Sequence, residues 1–128
     1  IEMSIVDVHV NRSPAAGRVL FQKHIKGSFL SLRDRRAPAE NERLTTVIDS
    51  GPFSVGVVQI ASRLVRRIIS YIQPGDTVER GSRIGRIMFG SQVDLILPDL
   101  PGLQVWAEPG QQVYAGSTPV AGFNVTDT

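Results

Sequence analysis

Four Gly-Ser pairs stand in this sequence, at Gly27-Ser28, Gly81-Ser82, Gly90-Ser91 and Gly116-Ser117. A serine hydroxyl can attack the carbonyl carbon of the residue before it, an intramolecular N-to-O acyl shift, when a bent backbone brings the two together. Glycine tolerates that bend. The dipeptide alone does not mean this chemistry, because a plain serine at a strand edge explains it as well. Context separates the four pairs. Gly81-Ser82 and Gly116-Ser117 hold equivalent places in an internal repeat, where a turn glycine followed by a small polar residue is structural. Gly90-Ser91 has no counterpart in the other copy and lies within RIGRIMFGSQVDLILP, between two apolar, strand-like runs. A reacting serine also needs a proton donor and acceptor nearby. Two histidines are available: His9, in DVHVNR, and His24, which sits beside Lys23 and Lys26 and reads as a surface residue. With no cysteine in the chain, disulfides, thiolate metal sites and a cysteine nucleophile are excluded. The two histidines make no recognisable ligand spacing beyond Asp7-x-His9, and no metal is expected.

The elements that must position these residues read as strands. Ser4 to Val10 alternates in part and stops at Arg12-Ser13-Pro14, a strand followed by a turn. Val19 to Phe21 and Phe29 to Leu32 predict further short strands. Between Arg33 and Arg43 the charged composition, with Pro38 inside it, predicts an exposed loop or a single helical turn. Thr45 to Asp49 and Phe53 to Ala61 are rich in β-branched residues and separated by Gly51-Pro52, a hairpin signal. Leu64 to Ile72 is ambiguous between helix and strand, and its composition favours the strand.

The repeat is the most informative local pattern. PGDTVERGSRIG from Pro74 matches PGQQVYAGSTPVAG from Pro109. Each copy predicts a turn at its first glycine, a short strand around the valine and a second turn at Gly81 or Gly116. The predicted fold is therefore mainly β with little helix: one domain over 1–128, a compact barrel or sandwich of short strands. Its GDxVxxG hairpins resemble those of biotinyl- and lipoyl-type hybrid barrels, a likeness of fold and not of function.

A chain of 128 residues, 41% hydrophobic and 20% charged, is enough for one globular core. The formal charge of +2 is small, and Arg33/Arg35/Arg36 and Arg63/Arg66/Arg67 read as solvated faces. Few aromatics accompany them, so the stacking platform of a single-strand binder is missing and no nucleic-acid partner is expected. No run of 18 apolar residues occurs, so any membrane contact would be peripheral. The chain opens at Ile1 directly into a strand-like pattern, and is expected to be a fragment of a longer protein.

IMFGSQVDLILP resembles the processing segment of phosphatidylserine decarboxylases, in which a Gly-Ser bond is cut by the protein itself. DVHVNRSPAAGRV from Asp7, the ENER of Glu40 to Arg43, VVQIASRLVRRI from Val57 with its Gln59, and GDTVERGSRIGRIMFGS resemble the short-form bacterial and archaeal members in the same order. The likeness runs from about Met3 to Ala121. It implies cleavage between Gly90 and Ser91 into chains 1–90 and 91–128, held together noncovalently. It also implies conversion of Ser91 into a pyruvoyl cofactor, and decarboxylation of phosphatidylserine to phosphatidylethanolamine. His9 is implied to bind substrate and transfer protons, and Gln59 to bind substrate or orient the site. Well-known bacterial members carry a second His where this chain has Arg12. With an Asp from an upstream Pro-x-Asp-Gly motif that this sequence lacks, that His is implied to activate the serine. Either His9 does both jobs or preceding sequence is required. Arg at this place fits the short-form branch. The likeness further implies a peripheral enzyme on the cytoplasmic side of the cell membrane, working as a homodimer of processed chain pairs.

Three rival readings remain at this point. An archaetidylserine decarboxylase would act on the same serine head group. A non-catalytic hybrid-barrel module, such as a biotinyl or lipoyl carrier, would need a lysine at a hairpin tip, and the only lysines are Lys23 and Lys26. A silent relative would never process, with Arg12 as the motive. Glu40, Asn41, Glu42 and Arg43 could equally form a hydrogen-bonded loop network with no chemical duty.

Overall fold

The computed structural model describes residues 1–3, 10–62, 68–87 and 91–123. Among these residues, eleven strands and one short helix follow in chain order: β1 (Glu2–Met3), β2 (Val10–Arg12), β3 (Gly17–Ile25), α1 (Ala37–Glu40), β4 (Arg43–Asp49), β5 (Ser54–Ile60), β6 (Ile68–Ser70), β7 (Thr77–Val78), β8 (Arg83–Ile87), β9 (Ser91–Ile96), β10 (Leu103–Val105) and β11 (Ala121–Phe123). A six-stranded sheet has the order β1-β9-β5-β4-β3-β7, a three-stranded sheet the order β2-β8-β6, and β10 pairs with β11. The mainly β architecture with little helix expected from the sequence is the one observed.

The β4–β5 hairpin forms at the Gly51-Pro52 signal, with its register running from Arg43 opposite Ile60 to Asp49 opposite Ser54. Gly51 takes φ +99° and its N–H is bound by the Asp49 carboxylate at 2.9 Å, so the turn has both its backbone freedom and its cap. Along β4, Leu44, Thr46 and Ile48 are buried and their neighbours are not, which fixes the inward face. That face meets Val55 and Val57 of β5, Val19 of β3 and Ile84 of β8 in one cluster. Fully burying an isoleucine such as Ile48 contributes about 1.5–3 kcal/mol.

Two bulges adjust the alternation. On β3, register shifts between Val19 and Phe21, leaving Leu20 as an extra, exposed residue. On β8, Asn11 faces Gly85 while Arg12 faces Arg83, so Ile84 is the extra residue. Ile84, Gly85 and Ile87 can then all be buried, which a strict period of two forbids.

Some sequence expectations change. Phe29 to Leu32 is not a strand. The Asn41 side chain takes both the N–H and the C=O of Leu30, at 2.8 and 2.9 Å, and so does the work of a neighbouring strand. Val19 to Phe21 is the middle of a nine-residue strand, because β4 pairs along its length. The charged stretch from Arg33 holds one four-residue helical turn, as expected. Of Ser4 to Val10 only Val10 is described, at the start of β2; in Leu64 to Ile72, Ile68–Ser70 is a strand and 64–67 lie outside the described residues.

The repeat reappears atom by atom in its turns. Gly75 and Gly110 have φ +95° and +84°, and Gly81 and Gly116 have +84° and +77°. Gln73 N–H binds the Asp76 side chain as Glu108 N–H binds that of Gln111, at 3.0 and 3.1 Å. Only the first copy has the short strand around its valine. Val78 pairs with Gly17 of β3, whereas the segment around Val113 meets no partner strand among the described residues.

Candidate functional site

Ser91 is the first residue of β9 and is completely buried. Val93 and Leu95 follow it on the core-facing side, and β9 is held between β1 and β5. Burial of a hydroxyl ordinarily demands a hydrogen bond, because desolvation without one costs roughly 1–3 kcal/mol. The Ser91 Oγ has none among the described residues. No other serine of the Gly-Ser pairs is buried in this way: Ser28 is exposed, and Ser82 and Ser117 belong to turns. Gly90, His9 and Asp7 lie outside the described residues.

Opposite Ser91 on β1 stands Met3. Its sulfur accepts a hydrogen bond from Asn11 Nδ2 at 3.5 Å, and Asn11 Oδ1 accepts one from Gln59 Nε2 at 2.8 Å. Gln59, 1% exposed, faces Val93 of β9 across the sheet. Gln59, Asn11 and Met3 thus form a buried row from β5 through β2 to the edge at β1, where Met3 faces Ser91. Gly85 of β8 completes it: a Cβ there would lie 2.9 Å from Gln59 Nε2 and 2.5 Å from the Ile69 carbonyl oxygen. The structure therefore brings Gln59 into the neighbourhood of Ser91. Sequence reasoning passed over Asn11 and Met3. The available signal was the place of Asn11 in the sequence, two residues after His9.

Arg12 takes a structural post. Its Nη1 donates to the Gly81 carbonyl at 2.8 Å, and its aliphatic stem lies where a Cβ on Gly116 would be, 2.9 Å from Cδ. One side chain therefore links the second turns of both repeat copies. His24 is half exposed, with Nε2 3.5 Å from a Glu42 carboxylate oxygen. The ENER segment forms a hydrogen-bonded network. Asn41, fully buried, binds Leu30 and the Ala61 carbonyl; Glu42 N–H binds Ser28; Arg43 binds the Asn41 carbonyl at 3.0 Å. Among the described residues no three His, Asp or Glu side chains gather as a metal site, and no helix is long and apolar enough to cross a membrane. An open apolar groove of about 510 Å³ lies along Leu95, Leu97, Phe53 and Phe123. At about 3.3 Å per residue, Leu95 is some 13 Å along β9 from Ser91, so the groove is separate from the serine.

The sequence profile of phosphatidylserine decarboxylases matches residues 1–121. The chain belongs to that family. It is 47% identical to a putative archaetidylserine decarboxylase proenzyme of Methanothermobacter thermautotrophicus, over 95% of this chain and 53% of that protein. It is 43% identical to the phosphatidylserine decarboxylase proenzyme of Nitrobacter winogradskyi, over 99% of this chain and 51% of the relative. A putative archaetidylserine decarboxylase proenzyme of Methanococcoides burtonii is 44% identical, over 93% and 56%. The chain spans about half the length of the curated relatives it matches. No solved structure matches it. Membership of a decarboxylase family leaves the carrier-module reading without support, in keeping with hairpin tips that contain no lysine.

Proposed function

We propose that this chain carries the self-cleaving centre of a serine-phospholipid decarboxylase, with phosphatidylserine as substrate and Ser91 as the residue that reacts. The observation that carries the reading is the Ser91 hydroxyl: fully buried, at the head of a strand, directly after a glycine, and without a hydrogen-bond partner among the described residues. No structural hydrogen bond from the described residues ties this hydroxyl up, and the proton acceptor that attack needs is either His9 or a group from preceding sequence. Ser91 Oγ bonds to the Gly90 carbonyl carbon as the Gly90–Ser91 C–N bond breaks, giving an ester and a free amine at residue 91. Loss of the Ser91 α-proton then expels the Gly90 carboxylate, so that chain 1–90 ends in an acid and residue 91 becomes dehydroalanine. Water replaces its nitrogen, releasing ammonia and leaving a pyruvoyl group at the head of chain 91–128.

A buried ketone at that place supplies an electron sink for decarboxylation of a bound amino acid. The residues packed beside Ser91 suit it: Met3, its partner across the strands, clusters with Ile87 and Val93, and such apolar surroundings strengthen local electrostatics. His9 is assigned proton transfer on the family motif. Gln59, already engaged by Asn11, holds the site in order. A membrane-lipid substrate supports peripheral attachment to a membrane, and the family resemblance supports its cytoplasmic face and a homodimer of processed pairs.

A second reading, archaetidylserine as substrate, is favoured by the names of two of the relatives. Intact-mass spectrometry tests the centre. The parent is expected to give two polypeptides meeting at Gly90-Ser91, the smaller carrying a pyruvoyl mass, and Ser91→Ala one uncut chain. A parent that stays whole, in this piece and in the full-length protein, refutes the proposal. Supplying diacyl and archaeal serine lipids side by side then separates the two substrates.

A further inference from the structure

Two hydrogen bonds of Asn11 join the two larger sheets beside the serine. Gln59 stands on β5 of the six-stranded sheet and Asn11 on β2 of the three-stranded sheet, and their amides meet at 2.8 Å, both buried. Each partner is placed against a strand that flanks the cleavage segment. Asn11 faces Gly85 on β8, the strand leading toward Gly90; Gln59 faces Val93 on β9, the strand leading away from Ser91. The second Asn11 contact goes to Met3, which is paired with Ser91 itself. Asn11 is also only two residues from His9 in the chain.

A buried amide pair adds little net stability over apolar residues of the same shape. What it does add is a single permitted geometry, because each amide must point its donor at the other's acceptor. Space is reserved for it, since Gly85 leaves free the position 2.9 Å from Gln59 Nε2. We infer that the Asn11–Gln59 pair is a positioning device for cleavage of the Gly90–Ser91 bond, locking β8 and β9 in the relative placement the acyl shift requires. Asn11 and Gln59 are positioning residues, touching neither bond. The inference rests on the self-cleavage reading above.

The test exploits the symmetry of an amide pair. Full-length parent, Asn11→Leu, Gln59→Leu and the double variant are made by cell-free translation. Cleavage is followed over time on the protease-resistant, folded fraction, with the melting temperature of each variant measured alongside. Each single variant orphans one amide and loses both stability and rate. The double variant removes both polar groups, so its melting temperature returns toward that of the parent while cleavage stays slow, by about 100-fold for a misplacement near 1 Å. A merely structural role predicts that rate returns with stability, and a double variant as stable as the parent that cleaves at the parent's rate overturns the inference. Gly85→Ala serves if the double variant does not fold: it presses on the same amide from the far side, and is expected to slow cleavage at least 10-fold. Cleavage at the parent's rate there also overturns it. A parent that never cleaves defeats the self-cleavage reading itself, a separate and recognisable failure.

Discussion

Gly85→Ala is the smallest change that strains the site, and the structure gives its size. The added Cβ would sit 2.5 Å from the Ile69 carbonyl oxygen and 2.9 Å from Gln59 Nε2. The first contact is with backbone of the paired strand β6, so β8 and β6 must part, and the second is relieved when Gln59 swings away. Overpacking of this kind costs about 1–3 kcal/mol. If Gln59 swings, the Asn11 acceptor is orphaned for about 1–3 kcal/mol more. The stiffer alanine in the unfolded chain returns about 0.4–1 kcal/mol. The net expectation is a loss of about 1–5 kcal/mol, or on the order of 4–20 °C in melting temperature for a chain of this size. Urea unfolding in a Ser91→Ala background, which keeps the chain in one piece, is the assay. Gly56→Ala is the control: its nearest contact is Ile96 Cβ at 3.3 Å, and Ile96 is more than half exposed and free to yield. Neither glycine has a positive φ, so space alone separates them. A Gly85→Ala loss below about 0.5 kcal/mol, the scatter of ordinary surface changes, would refute the reasoning.

Asn41→Ala is expected to cost about 3 kcal/mol or more, since it strips hydrogen bonds from Leu30 N–H, Leu30 C=O and Ala61 C=O at once; equilibrium unfolding measures it. Arg12→Ala should cost only about 0.5–1.5 kcal/mol, because its bond to Gly81 is exposed. Faster hydrogen exchange at Gly81 N–H and Ser13 N–H, which pair with Ser13 and Ser82 carbonyls, is its signature. Hydrogen bonds from the Arg36 side chain and backbone hold the Asp34 carboxyl at about 2, below its ordinary 3.8. Its folded value being the lower, the pair's contribution is present above about pH 4 and lost as pH falls through about 2. An NMR titration of the Asp34 carboxyl should show that midpoint, and Arg36→Ala should raise it only part of the way to the usual carboxylate range, because the residue-36 N–H still binds the carboxylate.

The sequence by itself determined the β class, the Gly51-Pro52 hairpin, the four repeat turns with left-handed glycines, and which Gly-Ser pair stands apart. These are local matters. Turn glycines are dictated by their own φ, β-branched runs by their own side chains, and Ser91 by flanks that no turn would carry. Tertiary structure decided what depends on residues distant in the chain. It made Val78 a strand because β3 lies beside it, and left the same motif at Val113 without one. It denied Phe29 to Leu32 a strand because a single asparagine occupies Leu30's backbone groups. It placed Arg12 between two turns, and it set Asn11 against Gln59, 48 residues away, and against Met3, the strand partner of a serine whose hydroxyl has no hydrogen bond among the described residues. Sequence spacing carries no record of such pairings, because a hydrogen bond between sheets is fixed only when both sheets have closed on their shared core.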